Sequence, residues 1–268
     1  MSLLMTVRKP IWHVHTCTDI PATEEYALRW LYWHTRGASW TNKTNWLTSS
    51  TAGNWYGVTV ASGHVTGISL STNNLVGSIT DWQLGAFPAL NNIVVYSNAS
   101  LSGALSLSIL SAPFQWLSAG NTGLLFTGTL SNLPASMQLL AVNNTASVIT
   151  GALSNLPALL WYLDLSNTPS IITGGAVTMA AIGINTLNLN NIALTQANVD
   201  SVVLTRLYAD RALFTAAAPV LNIGGTNSAP TGIYQSVTPP TSGKEAIYDL
   251  VNDPTAQGFK KWAITFTP

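Results

Sequence analysis

The sequence is poor in cysteine and in charge. One cysteine, Cys17, stands among 268 residues, so no disulfide can close within the chain and cysteine usage reveals no redox compartment. Charged residues make up 7%, far below the usual quarter of a globular domain, and ten Lys and Arg balance ten Asp and Glu. The resulting net charge of zero removes the electrostatic footprint that nucleic acid or an anionic membrane would require. Between residues 54 and 199 there are one histidine, His64, two aspartates, Asp81 and Asp164, and no lysine, arginine or glutamate. General acid–base chemistry needs convergent titratable groups, so the expectation is no enzyme and no cofactor. The glycine pairs Gly174-Gly175 and Gly224-Gly225 lack the lysine and the strand–loop–helix setting of a phosphate-binding loop. No apolar run approaches the length of a membrane span. In MSLLMTVRKP the basic residues Arg8 and Lys9 follow the apolar run, whereas a secretory signal has them before it. The expectation is therefore a chain that works inside a cell, leaves by lysis or assembly, or has lost a leader.

What the sequence does have is a repeat. Hydrophobic residues reach 47%, enough for a large core, while Ser, Thr, Asn and Gly supply the polar surface. Residues 65–79, VTGISLSTNNLVGSI, set Val65, Ile68, Leu70, Asn73, Leu75, Gly77 and Ile79 in a pattern that recurs. Its central anchor can be followed through Ile68, Ile93, Leu117, Leu140, Leu163 and Leu187, at intervals of 25, 24, 23, 23 and 24. Two residues after each anchor stand Leu70, Val95, Ala119, Val142, Leu165 and Leu189. A strand alternates with period two, so both sets point inward. Gly77, Gly103, Gly128, Gly151 and Gly174 recur beyond the strands, and Asn73, Asn98, Asn121, Asn144, Asn167 and Asn191 follow them directly. A buried asparagine at such a turn can bond the backbone of neighbouring coils. One coil cannot bury its apolar face alone, so the coils must stack.

These residues resemble the plant-type leucine-rich repeat (LRR). The segment EEYALRWLYWHTRGASWTNKTNWL, then NWYGVTV and HVTGISLSTNNLVGSI, is similar to the cap and first repeat of receptor ectodomains and polygalacturonase inhibitors; related LRR proteins occur in bacteria and tailed phages. The resemblance covers residues 23–190. It implies an α/β repeat: a right-handed solenoid with a parallel β-sheet on the concave face. In the plant family a cysteine pair closes the cap. Here Thr59 stands at that place and no cysteine partner exists, so tryptophan packing must close it. The later segments NIGGTNSAPTG, SGKEAIYDLVNDPTAQGF and KKWAITFT resemble the ending of LRR-type proteins from phages and environmental bacteria.

Four regions follow. Residues 1–22 form an N-terminal arm in which residues 12–19 alternate. Residues 23–62 form a cap: a helix over 23–36 with Thr23 as N-cap, Glu24 and Glu25 in its first turn and Gly37 at its end, then Trp40, Trp46 and Trp55. Ala27, Trp30, Leu31 and His34 share one face of that helix. Residues 63–228 are the solenoid, ending in a short helix over 196–204 capped by Thr195 and in two irregular coils at 207–209 and 221–223. Residues 229–268 are a C-terminal α+β cap or docking segment, with a helix over 244–251 and a strand alternating Trp262, Ile264 and Phe266.

The register also gives the outward positions, and LRR proteins usually bind on the concave face. Tyr96, Trp116, Tyr162 and Tyr208 make an aromatic track there, with Asn143, Asp164 and Asn188 among the polar residues between them. Aromatics with polar neighbours suit an uncharged partner, protein or sugar; the alternative is that they merely cover adjacent coils. Asp164 reads as a solvated carboxylate. The one metal-like set, His13, His15 and Cys17, would face one way on a strand, though three alternating residues are a weak signal and the polar face of an edge strand is the preferred account. The whole points to a non-catalytic binding or structural protein: a tailed-phage virion component, either head decoration or fibre-type adhesin, held by protein partners in the particle or by sister subunits. A bacterial cell-surface LRR protein that binds protein or glycan is the alternative.

Overall fold

The constant interval between anchors becomes the register of a sheet. The computed structural model describes residues 16–80, 82–253 and 257–268. Its body is a parallel β-solenoid of about five turns. In chain order the first strands are β1 (Val58–Ala61), β2 (His64–Ser69), β3 (Gly77–Ser78), β4 (Asn92–Val94) and β5 (Leu101–Ser106). Next come β6 (Trp116–Ser118), β7 (Gly123–Thr129), β8 (Leu139–Ala141), β9 (Val148–Ala152) and β10 (Tyr162–Asp164). The last are β11 (Ile171–Thr173), β12 (Thr186–Asn188), β13 (Val220–Ile223) and β14 (Ala263–Phe266). Among the described residues these make a nine-stranded sheet, β1-β2-β4-β6-β8-β10-β12-β13-β14, and a five-stranded sheet, β11-β9-β7-β5-β3. The β1–β2 pair is antiparallel and the other pairs are parallel.

The anchors pair in one unbroken row: Ile68 with Ile93, then Leu117, Leu140, Leu163, Leu187, Leu221 and Ile264. The six found from sequence are at most 4% exposed, and the residues two further on at most 2%. Each such leucine contributes roughly 1.5–3 kcal/mol by leaving water. Between the sheets, short 3-10 turns bring Leu107, Leu130 and Leu153 to zero exposure.

The recurring asparagines divide into two roles. Asn98 is buried; its side-chain amide donates to the carbonyls of Leu70 (2.9 Å) and Val95 (2.8 Å) and accepts from the N–H groups of Asn73 and Leu75 (3.0 Å each). Asn227 repeats this for Leu189, Ile192 and Leu194. Asn121, Asn144, Asn167 and Asn191 instead sit one residue earlier in the coil, in the left-handed region at φ 53–56°. Asn144, Asn167 and Asn191 each donate an amide N–H to the asparagine oxygen of the preceding coil, at 2.8, 2.6 and 2.8 Å. This corrects the expectation of one buried series. In the middle coils the buried place belongs to Thr122, Thr145 and Thr168, whose hydroxyls donate to carbonyls three residues back at 2.6–2.7 Å. Asparagine tolerates the left-handed conformation, and threonine satisfies an orphan carbonyl in less space.

Helix α1 (Ala22–His34) begins before Thr23, with Pro21 in the capping position and no side-chain cap, and ends at Thr35, ahead of Gly37. Pro21 suits that place because the missing N–H would have no helical partner. The buried face of α1 is Glu24, Glu25, Ala27, Leu28, Leu31 and Tyr32; Trp30 is half-buried against the core and stacks on the exposed His34 at 3.7 Å. Trp40, Trp46 and Trp55 pack beside it at 1–3% exposure. The turn at Gly77 (φ +137°) runs so close that a Cβ there would lie 2.1 Å from the His34 carbonyl oxygen, which only glycine avoids.

At the other end, Thr195 caps α2 (Gln196–Asp200), its hydroxyl accepting from the Asn198 N–H. A π-helix, Ser201–Tyr208, continues it, so residues 207–209 are helical and not a coil. The coil at 221–223 is present as β13. Helix α3 (Gly243–Asn252) and β14 complete the described chain. No helix among the described residues is long and apolar enough to cross a membrane.

Candidate functional site

The outer face of the long sheet is set by its register. Trp116, Leu139 and Tyr162 are neighbours across β6, β8 and β10. Just before these strands stand Gln115, Gln138 and Trp161. The Gln115 carbonyl accepts the N–H groups of Gln138 (2.8 Å) and Leu139 (3.1 Å), and the Gln138 carbonyl those of Trp161 (3.0 Å) and Tyr162 (3.4 Å). The backbone that displays these side chains is therefore tied at every coil.

On this base two indoles meet. Trp116 and Trp161 are 39% and 37% exposed, their ring centroids 6.4 Å apart and their planes inclined at 71°. Trp161 also meets Tyr162 edge to face at 5.7 Å. The Trp116 indole N–H donates to Gln138 Oε1 (3.3 Å), and the Gln138 amide to Gln115 Oε1 (3.4 Å). The result is an angled aromatic ledge edged by amides. Trp161, Gln138 and Gln115 escaped the sequence reading, which followed only alternate strand positions. The signal was available two residues before each anchor.

The expected site residues separate. Tyr96 is 43% exposed but lies beyond the opposite end of its strand, where its carbonyl accepts the Thr72 N–H at 3.0 Å. It is three residues past its anchor whereas Trp116 is one before, so roughly 13 Å of strand divides the two columns. Asn143 is half-buried and lies over Gly120: a Cβ on that glycine would be 2.2 Å from its amide oxygen. Asp164 is not a solvated carboxylate. It is 7% exposed and accepts the Ser166 N–H (3.0 Å) and hydroxyl (2.7 Å), with the Tyr162 hydroxyl at 3.5 Å. Asn188 and Asn222 accept the N–H two residues on in the same way, so Asp164 is one of a series of turn-forming side chains. Burial, then the Asp164 charge and the hydrogen bond to it, push the Tyr162 phenol up, keeping it a donor.

Tyr208 leaves the face entirely. It belongs to the π-helix, is 9% exposed, and lies under the Arg211 guanidinium at 3.8 Å. Two residues on, Asp210 is buried with Arg206 in a bidentate pair at 2.6 Å. The helix replaces the coil here because Val202, Val203 and Leu207 fill the core that a strand would have filled.

Of the metal-like set, His13 and His15 lie outside the described residues. Cys17 is buried, and burial followed by the charges of Glu25 and Asp19 pushes its thiol up to about 12. A protonated thiol is a poor ligand. Among the described residues no group of three His, Cys, Asp or Glu side chains converges.

No family model and no curated protein matches the chain.

Proposed function

We propose that the chain is a non-catalytic recognition protein of the leucine-rich-repeat type, a right-handed solenoid closed at its start by α1 and its tryptophans and at its end by residues 229–268. It offers the outer, concave face of the long sheet to an uncharged partner. One observation carries this reading: Trp116 and Trp161, each more than a third exposed, come from separate coils and meet at 6.4 Å on the sheet, whereas the exposed Trp33 on α1 meets no second indole among the described residues. Indole left in water on a rigid backbone supplies contact area at low entropic cost to a partner. The setting of Asp164, fully engaged in its turn, supports recognition over catalysis.

The place of action is the surface of a tailed-phage particle, as head decoration or adhesin. Scarce charge, a start closed without a cystine and the phage-like ending support it. Mass spectrometry of purified particles against cell fractions of the source culture tests this. Enrichment in particles is expected, and enrichment in the bacterial envelope overturns the virion assignment in favour of a cell-surface protein. Recognition is tested by retention of cells from that culture on immobilised protein. Trp116→Ala and Tyr162→Ala are expected to lower retention at least tenfold with an unchanged melting temperature; equal retention overturns the role of this face.

A further inference from the structure

We infer that the corner formed by Trp116, Trp161 and Leu139, with the amides of Gln115 and Gln138, is a subsite for one uncharged sugar ring of a glycan. The inference rests on the reading of this face as a recognition surface and names its ligand class.

The first argument is shape. Two indoles inclined at 71° with centroids 6.4 Å apart make a corner whose floor is the half-buried Leu139. An aromatic face is complementary to the C–H face of a pyranose, and a second ring at an angle flanks the sugar's edge. The second argument is hydrogen bonding. The Gln138 Oε1 accepts the Trp116 indole N–H at 3.3 Å and so fixes the ring on which a sugar would stack. The Gln138–Gln115 bond uses one N–H of Gln138 and the oxygen of Gln115, leaving amide donors of both free to face a ligand. Free amide donors thus line the aromatic edge, where sugar hydroxyls can accept.

The third argument is charge. Asp164 is the one carboxylate on the neighbouring strands β6, β8 and β10, and Ser166 and Tyr162 occupy it. No cation stands on those strands to receive a uronate, a sialic acid, a phosphate or an acidic peptide, and no free carboxylate to receive a basic one. A folded protein partner would need a broad apolar centre. Here the in-register positions that flank the corner are Asn92 beside Trp116 and Thr186 beside Tyr162, both polar.

The test is affinity electrophoresis of the full chain through gels holding dextran, yeast mannan, galactomannan, xyloglucan or arabinogalactan, with alginate and heparin as charged controls. Retardation by at least one uncharged polysaccharide is expected. Trp116→Ala and Trp161→Ala should each weaken it at least tenfold. Trp33→Ala, at an indole 59% exposed on α1, should leave it unchanged. Gln138→Leu keeps the bulk beneath the indole and should weaken binding several-fold; melting curves confirm that each variant is folded. No retardation by any uncharged polysaccharide, retardation by the charged ones alone, or full retardation of the tryptophan variants overturns the inference. Cell retention separates its failure from that of the recognition surface. Retention lost with Trp116→Ala yet surviving periodate oxidation of cell glycans overturns the sugar and leaves the surface; retention indifferent to Trp116→Ala overturns both.

Discussion

The two ends of the long sheet are closed by different chemistry. At the start, Trp40, Trp46, Trp55 and Trp82 each place the indole N–H on a backbone carbonyl, those of Thr35, Tyr56, Ser49 and Ala27, at 2.8–3.2 Å. The two buried acids of α1 are equally engaged. Glu24 meets His64 Nδ1 and the Val65 N–H at 2.6 Å each, and Glu25 takes the N–H groups of Thr16 and Cys17 and the Arg29 guanidinium. At the far end Trp262 is as deeply buried, edge to face with Phe214 at 5.0 Å, yet its indole N–H has no partner among the described residues, and neither has Asp249 Oδ1. Beside the apolar core of that end lies the Arg206–Asp210 pair, 4% and 3% exposed, reinforced by the Met179 N–H and the Val177 carbonyl. One end thus rests on aromatic volume with its polar atoms satisfied. The other sets one buried ion pair beside its apolar core, with polar atoms left over. Burial alone does not describe how well an end is finished; the partners of its polar atoms do.

The comparison can be broken by substitution. Arg206→Ala or Asp210→Ala should cost about 3–5 kcal/mol, because each strands a buried charge, measured by urea unfolding. A loss below 1 kcal/mol would mean the far end does not depend on the pair. Leu163→Ala, in the middle of the anchor row, should cost roughly 2–5 kcal/mol through the cavity it leaves and serves as the reference between the ends. Trp46→Phe should cost about 1–3 kcal/mol beyond its lost packing, because the Tyr56 carbonyl loses its donor. Trp262→Phe removes an orphan donor and should cost distinctly less than Trp46→Phe in the same denaturant series; equal costs would erase the distinction.

Acid probes the start of the sheet through Glu25. Burial pushes the Glu25 carboxyl up, but the Cys17 N–H, Arg29 and Thr16 outweigh it and hold the group down at about 2. A depressed carboxyl stabilises the fold fully above its ordinary range near 4.5, and that contribution is lost as pH falls from there through about 2. Stepped-pH unfolding should therefore show a steeper decline across this window for the native chain than for Glu25→Gln. Parallel curves would exclude Glu25 as the source.

Much of the fold was legible because it is periodic. Anchors every 23–25 residues can be inward only if the coils stack, and the structure pairs all six in one row. The asparagines were legible as a series but not as two. Asn98 and Asn121 differ by one place relative to their anchors, and only the coil geometry makes one place the difference between a buried bond and a solvent-facing ladder. The region after Asn191 misled because the spacing from Leu207 to Ala209 suits a strand and a helix alike. The helix prevailed through the i,i+4 pair of Arg206 with Asp210, which only a helical turn brings together, and through the non-local contacts of that pair to residues 177 and 179.

The candidate site divides along the same line. Composition by itself determined that the outer face would be uncharged, and register by itself determined that Trp116 and Tyr162 would share it. Tertiary structure alone decided that Trp161, 45 residues from Trp116 in the chain, would lean over Gln138 to meet it at 6.4 Å, that Asp164 would turn into its own backbone, and that Tyr208 would go under Arg211. The reason is physical: a repeat specifies which residues face outward coil by coil, whereas contact between outward side chains depends on how neighbouring coils are stacked.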